Sequence, residues 1–211
     1  MKILSVCPYS FAANTYLLIA DGEAMVVDPS VSLSAIENLL DTHGATLTGI
    51  LLTHGHFDHT ISVDTIRSKY PIPLMMHSGD APMLTDGKIN GFYDFYKQES
   101  THAPAQMLLA DGDTVKIGRE NALVISTPGH SPGSICILCK NDSGRDFMLT
   151  GDTLFADSIG RCDLWGGSEE IIRDSLKRLS AYDHTIKIYA GHGLSSTLGS
   201  ALESAKYYID F

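Results

Sequence analysis

The sequence predicts an α/β (α+β) chain of one domain, two packed mixed β-sheets with helices on the outside, and three observations point there. Short apolar segments come first and an amphipathic helix follows, and this order occurs twice along the chain. No Pro- or Ser-rich linker separates the two halves, roughly residues 1–105 and 106–211. The 211 residues are 44% hydrophobic and 19% charged, an ordinary globular composition that suffices for a real core.

In the first half, Lys2 to Val6, Tyr16 to Ala20 and Met25 to Asp28 read as strands, with Asp21-Gly22 as a hairpin turn. Ser32 to His43 reads as a helix, because Leu33, Ile36, Leu39 and Leu40 share one stripe and Gly44 supplies a C-terminal stop. Gly49 to Leu52 is a buried strand, Thr60 to Tyr70 a helix ended by Pro71, Leu74 to Met76 a short strand, and Ser78 to Thr85 a helix. Asp86 to Pro104 has no clear period. Its Gly87, Gly91, Phe92, Tyr93, Phe95 and Tyr96 suggest a long loop or lid over a pocket.

The second half begins with Gln106 to Leu109 and continues with strands at Thr114 to Ile117, Leu123 to Ser126, Ser134 to Leu138 and Phe147 to Leu149. Asp111-Gly112 and Asn141-Asp142-Ser143-Gly144 are the turn signals among them. Ser168 is a good N-cap, and Glu169 and Glu170 favour the helix dipole, so Glu169 to Ser180 is a helix. Ile186 to Tyr189 is a last strand and Leu198 to Ile209 a closing helix.

Composition removes several function classes. The longest apolar runs, about five residues, fall far short of the roughly 20 that span a bilayer, so no membrane role is expected. Polar residues interrupt the N-terminal segment before any signal-peptide core forms, which reads as a cytoplasmic protein. A formal net charge of −10 opposes a nucleic-acid backbone as partner. Of Cys7, Cys136, Cys139 and Cys162, the Cys136-x-x-Cys139 pair lies within a strand, where positions three apart face opposite sides; separate buried thiols are expected. Nothing in the sequence sets an oligomeric state.

The densest chemistry is Thr53-His54-Gly55-His56-Phe57-Asp58-His59, directly after an apolar strand. Imidazole and carboxylate are the N/O donors that zinc and its first-row neighbours favour. His54, His56 and His59 do not share a helical face, so a strand-end loop must aim them. Three more strand ends carry a Gly beside a His or Asp: Pro128-Gly129-His130, Gly151-Asp152-Thr153 and Gly191-His192-Gly193. One such corner reads as a turn histidine satisfied by backbone. Four together, with five His and two Asp, match two metal ions that share a ligand.

On these motifs the chain resembles the metallo-β-lactamase fold superfamily over nearly its whole length, and more closely the glyoxalase II type of hydroxyacylglutathione hydrolase, in a shorter bacterial subgroup. The resemblance implies a four-layer αβ/βα sandwich, with His54, His56 and His130 on one divalent ion, Asp58, His59 and His192 on the other, and Asp152 bridging. It implies zinc, with iron or manganese as alternatives. The stretch Gly151-Asp152-Thr153-Leu154-Phe155 with Ser158-Ile159-Gly160-Arg161 is similar to the glyoxalase II signature, where a basic residue, here Arg161, lies near the glutathione moiety. Only Leu194 to Phe211 follows the last motif, with Lys206 as its one basic residue, so no helical glutathione-gripping domain of that family is expected.

The implied activity is hydrolysis of a small-molecule thioester of the S-acylglutathione type by a hydroxide held between two metals, with Asp58 and Asp152 as the catalytic carboxylates. A thiol of pKa about 8.5 leaves without a strong general acid. Within the superfamily, β-lactamases of the commonest subclass usually carry Cys where Asp152 stands and flavodiiron proteins carry Glu where His56 stands, so neither lactam cleavage nor the flavodiiron class is expected. Alternatives are a persulfide dioxygenase using one iron on two His and one Asp, a lactonase or esterase, and a non-catalytic metal-binding protein. Arg161 has its own alternative, an ion pair with Asp163, and Tyr93 and Tyr96 read as loop packing.

Overall fold

Along every central strand the side chains alternate between two apolar environments, and that alternation stacks the molecule in four layers. The computed structural model describes residues 1–6, 11–140 and 146–209. The first sheet runs in the order β1 (Lys2–Val6), β2 (Thr15–Ala20), β3 (Glu23–Val27), β4 (Thr46–Leu51), β5 (Leu74–His77) and β6 (Met107–Leu109). Its first three strands form an antiparallel meander, and β3 to β6 are parallel. The second sheet holds β7 (Thr114–Ile117), β8 (Glu120–Ser126), β9 (Ile135–Cys139), β10 (Phe147–Gly151), β11 (Lys187–Ala190) and β12 (Ser196–Thr197). It is antiparallel apart from the parallel pair β10 and β11.

Helices α1 (Leu33–His43), α2 (Val63–Lys69), α3 (Ala81–Thr85) and α4 (Phe92–Tyr96) come from the first half, and α5 (Glu169–Leu179), α6 (Leu198–Ser204) and α7 (Lys206–Ile209) from the second. Tyr16, Leu18, Met25 and Val27 meet Val124, Ile135, Ile137 and Leu149 between the sheets. Leu17, Val26, Ile50 and Met76 turn outward onto Ile36 and Leu40 of α1 and Ile66 of α2. Met148, Ile188 and Leu138 pack outward onto Leu176 and Leu179 of α5 and Leu198 and Leu202 of α6. Each such fully buried aliphatic side chain stabilises the fold by about 1.5–3 kcal/mol.

Local signals act as expected at most boundaries. Ala20 pairs with Glu23, and Asp21 and Gly22 turn between them at φ 51° and 80°, the left-handed pair that a two-residue hairpin requires. Ser32 and Ser168 cap α1 and α5 through their hydroxyls, and Gly44 closes α1 in the left-handed conformation.

Four expectations are corrected. The segment from Gln106, assigned to the second half, supplies β6 to the first sheet, because Met107 to Leu109 pair with Met75 to His77; the halves meet between Leu109 and Thr114. The second helix begins at Val63 instead of Thr60, because His59 and Thr60 close a 3₁₀ turn onto His56 and Phe57. The stretch from Asp86 to Pro104 contains the short helix α4, and the closing helix breaks at the buried Ala205. The Asn141 to Gly144 turn lies outside the described residues. Among the described residues, no helix is long and apolar enough to cross a membrane.

Cys136 packs beneath α5 and Cys139 between the sheets, on opposite faces of β9. Burial pushes their thiols up to about 11 and about 12. At neutral pH both are expected to resist a thiol-specific reagent until the protein unfolds, so labelling mapped by mass spectrometry should follow the global unfolding rate. Rapid labelling of either in the native protein would contradict this packing.

Candidate metal centre

The seven candidate ligands stand beyond the C-terminal ends of four strands, and those ends converge on one edge of the sandwich. His54, His56, Asp58 and His59 follow β4, His130 follows β8, Asp152 follows β10 and His192 follows β11. The two sheets are tied together there: Ile135 N–H donates to the Thr53 carbonyl at 2.9 Å, and Asn14 Nδ2 donates to the carbonyls of Ala190 and Gly193 at 3.1 and 3.0 Å.

Ligand atoms fall into three groups, each within 4.8 Å: His54, His56 and His130; Asp58, His59 and His192; and His54, His59 and Asp152. His130 Nε2 lies 2.8 Å from His56 Nδ1 and 3.2 Å from His54 Nε2. Asp152 reaches both sides, with Oδ1 3.3 Å from His59 Nε2 and Oδ2 3.7 Å from His130 Nε2 and 3.6 Å from His192 Nε2. Gly191 permits this approach, since a Cβ there would stand 2.1 Å from Asp152 Oδ1.

Three imidazoles are aimed by their far nitrogens. The Asp28 carboxylate can only accept, so His59 Nδ1–H donates to Oδ2 at 2.9 Å. Thr53 Oγ1 donates to the same oxygen at 2.6 Å and therefore accepts from His54 Nδ1–H at 3.2 Å. His130 Nδ1–H donates to the Arg161 carbonyl at 2.7 Å. In each case Nε2 is turned toward the cluster, the arrangement that a carboxylate or carbonyl imposes on a metal-binding histidine.

The charge states suit a cation. Burial, and then the neighbouring imidazoles, push His54 well below the usual histidine range, and burial with His130 brings His56 down to about 3. Both are neutral donors at pH 7. For Asp152, burial raises the carboxyl but the adjacent His59 and His130 outweigh it and hold it well below the usual range. Burial likewise opposes a charge on His59, yet Asp152, Asp28 and Asp58 raise it well above its ordinary value. A proton on His59 thus offsets the carboxylates, the task a divalent ion would perform. Among the described residues, four buried side-chain atoms lack a hydrogen-bond partner, and His59 Nε2, His56 Nε2 and Asp152 Oδ1 are three of them. These residues fit divalent metal.

Sequence reasoning missed two carboxylates. Asp28, 1% exposed at φ 49°, also accepts from Thr53 N–H at 2.8 Å; its place at a strand end before Pro29 was a usable signal. Asp80, fully buried, accepts from Gly55 N–H at 2.9 Å, Ser131 Oγ at 2.6 Å and Gly133 N–H at 2.5 Å, joining the two loops that carry His54, His56 and His130. No sequence pattern marks it.

Arg161 lines the cleft over the site, but its fork is taken by Asp163, Nε to Oδ1 at 2.6 Å and Nη2 to Oδ2 at 2.7 Å. Its backbone carbonyl, not its guanidinium, serves the metal cluster. Gly160 lets that loop close in, because a Cβ there would meet the Asp152 carbonyl oxygen at 1.8 Å. Phe95 lines the cleft, whereas Tyr96 packs on Phe57 and Phe92 as a loop anchor.

Comparison with known proteins agrees with this geometry. A family model described as the metallo-beta-lactamase superfamily matches residues 9–192. The probable metallo-hydrolase YqgX of Bacillus subtilis is 37% identical over 183 residues, covering 86% of this chain and 85% of that protein. The solved structure of the BLEG-1 B3 metallo-beta-lactamase superposes with a TM-score of 0.88 at 31% identity, covering 98% of this chain and 99% of that one. The structure of TTHA1623 in a di-iron-bound form gives a TM-score of 0.81 at 27% identity, covering 97% and 99%.

Asp28→Asn places an amide where two donors require a carboxylate oxygen. It is expected to weaken metal binding by about 10–100-fold while the fold is kept, read by metal titration alongside circular dichroism. Unchanged affinity would show that the rings need no such support.

Proposed function

The chain belongs to the metallo-beta-lactamase superfamily, and from that membership we propose that it is a two-metal hydrolase of small-molecule thioesters. At the coarser level it is a metal-dependent hydrolase, the class named for its relative YqgX. The finer reading rests on one observation about the cleft. Among the described residues its titratable lining consists of His56, Asp58, His130, Asp152, His192 and Arg161, and all but Arg161 are candidate ligands. A guanidinium does not give up its proton at working pH. The cleft therefore favours a leaving group that departs unprotonated, and a thiolate, with a parent pKa of about 8.5, meets that condition.

His54, His56 and His130 would hold one ion, Asp58, His59 and His192 the other, with Asp152 shared. Bound there, two divalent ions polarise a carbonyl and lower the pKa of water. Zinc suits this donor set, and the similarity to the di-iron form of TTHA1623 supports iron as the alternative. Asp58 is ionised despite its burial, because His59 and His192 draw it below its ordinary value, and it faces the cleft. It accepts a hydrogen bond from a water there and orients it toward the carbonyl. His192, a third exposed, stands 3.2 Å from Asp58 Oδ2 at the open side. Substrate enters from that direction.

The similarity to the BLEG-1 B3 metallo-beta-lactamase supports a second reading, lactam hydrolysis, which the absence of Cys at position 152 does not remove. A lactam nitrogen needs a proton as it leaves, and the described residues that line the cleft supply no dedicated donor, so the thioester reading ranks first.

Chelation is expected to abolish thioester hydrolysis and zinc to restore it, and Asp152→Ala or His130→Ala should reduce turnover of S-lactoylglutathione and neutral thioesters to background. Full activity in metal-stripped protein or in those variants would overturn the reading. So would one iron per chain with oxygen uptake on glutathione persulfide. A chromogenic cephalosporin is expected to turn over far more slowly than the best thioester; the reverse order would establish the lactam reading instead.

A further inference from the structure

The cleft above the metal centre has a volume of about 430 Å³, room for a drug-sized ligand, and its walls are aromatic and aliphatic. Phe11, Phe57, Phe95, Phe155, Ile159 and Leu164 line it. Phe11 stacks on Phe57 at 6.0 Å and meets Phe95 edge-on at 5.5 Å, and Phe155 lies 6.2 Å from the His192 ring. Apolar surface thus runs from the mouth to the candidate ligands. Phe11 and Phe95 remain 59% and 46% exposed, and contiguous aromatic surface left open to water around a cleft marks a place that a ligand covers.

Charge is arranged the other way. Arg161 is the sole Lys or Arg among the described lining residues, and it carries Asp163 on its fork, with Asp94 acting on it electrostatically. Arg161 is half exposed and Asp163 two-thirds exposed, so solvent screens the pair and it opens at little cost. What matters is that Asp163 stays beside Arg161 whether the pair is closed or open. Beyond the metal ions themselves, a peptide thiol bearing carboxylates would meet no uncompensated side-chain cation among the described lining residues, in a chain of net charge −10.

The structure assigns this cleft to uncharged thioesters with an apolar arm, in preference to thioesters of an anionic peptide thiol such as glutathione. The bond cleaved rests on the thioesterase reading above; the recognition rests on the cleft walls and the Arg161–Asp163 pair.

Non-hydrolysable thioethers separate the two. By calorimetry on the zinc-loaded protein, S-benzyl-N-acetylcysteamine is expected to bind about tenfold more tightly than S-benzylglutathione. Phe95→Ala should weaken the neutral compound roughly fivefold, and Asp163→Asn should shift the ratio toward the glutathione compound by roughly fivefold. Equal or tighter binding of S-benzylglutathione, or no effect of Phe95→Ala, overturns the assignment. Because a thioether has no bond to hydrolyse, the expected binding order without turnover of any thioester would remove the thioesterase reading and leave the recognition standing. Thioester turnover with the reverse order would do the opposite.

Discussion

Asp28 is a carboxylate sunk in the interior at a strand end, with its oxygens accepting from Thr53 N–H, Thr53 Oγ1 and His59 Nδ1. Two rings depend on it, His59 directly and His54 through the Thr53 hydroxyl. A carboxyl group so buried is costly unless its oxygens are hydrogen-bonded, and three donors serve them. The same bonds anchor the start of the loop that carries four of the seven candidate ligands. Without them the imidazoles would have no reason to present Nε2 inward, and the cluster would lose its geometry before it lost its residues.

The site is shared between the two halves, and the fold bears the cost of concentrating charge there. Asp80 ties the loop of His54 and His56 to the loop of His130, and Asn14 ties the first sheet to the end of β11. Carboxylates of Asp28, Asp58 and Asp152 gather around His59 and raise its affinity for a proton, in keeping with a site that favours positive charge. Metal binding and folding are therefore linked, because the ligands have their mutual geometry only in the folded chain.

Above this polar floor the walls are apolar, and the two surfaces divide the labour. On the proposed reading, the floor would set the reaction class through its donor set, and the walls would set which molecule reaches it. Arg161 illustrates the division: its carbonyl orients His130, while its guanidinium is held by Asp163 at the rim.

Strands, caps and candidate ligands were legible from the chain itself, for a local reason. Apolar alternation, Ser32, Ser168, Gly44 and Asp21-Gly22 act on neighbours within a few residues, and the His and Asp motifs stand at strand ends that the same pattern locates. Tertiary structure decided what depends on distant segments meeting. Asp28 reaches Thr53 across 25 positions and His56 meets His130 across 74, so neither the aiming of the rings nor their grouping is written in any local pattern. The pairing of β6 with β5 has the same origin, since a three-residue strand carries too little pattern to name its partner. The chain alone determined that metal donors stand at strand ends. Convergence of two sheets determined which donors face one another, because a coordination site is a property of distances between segments and not of spacing within one.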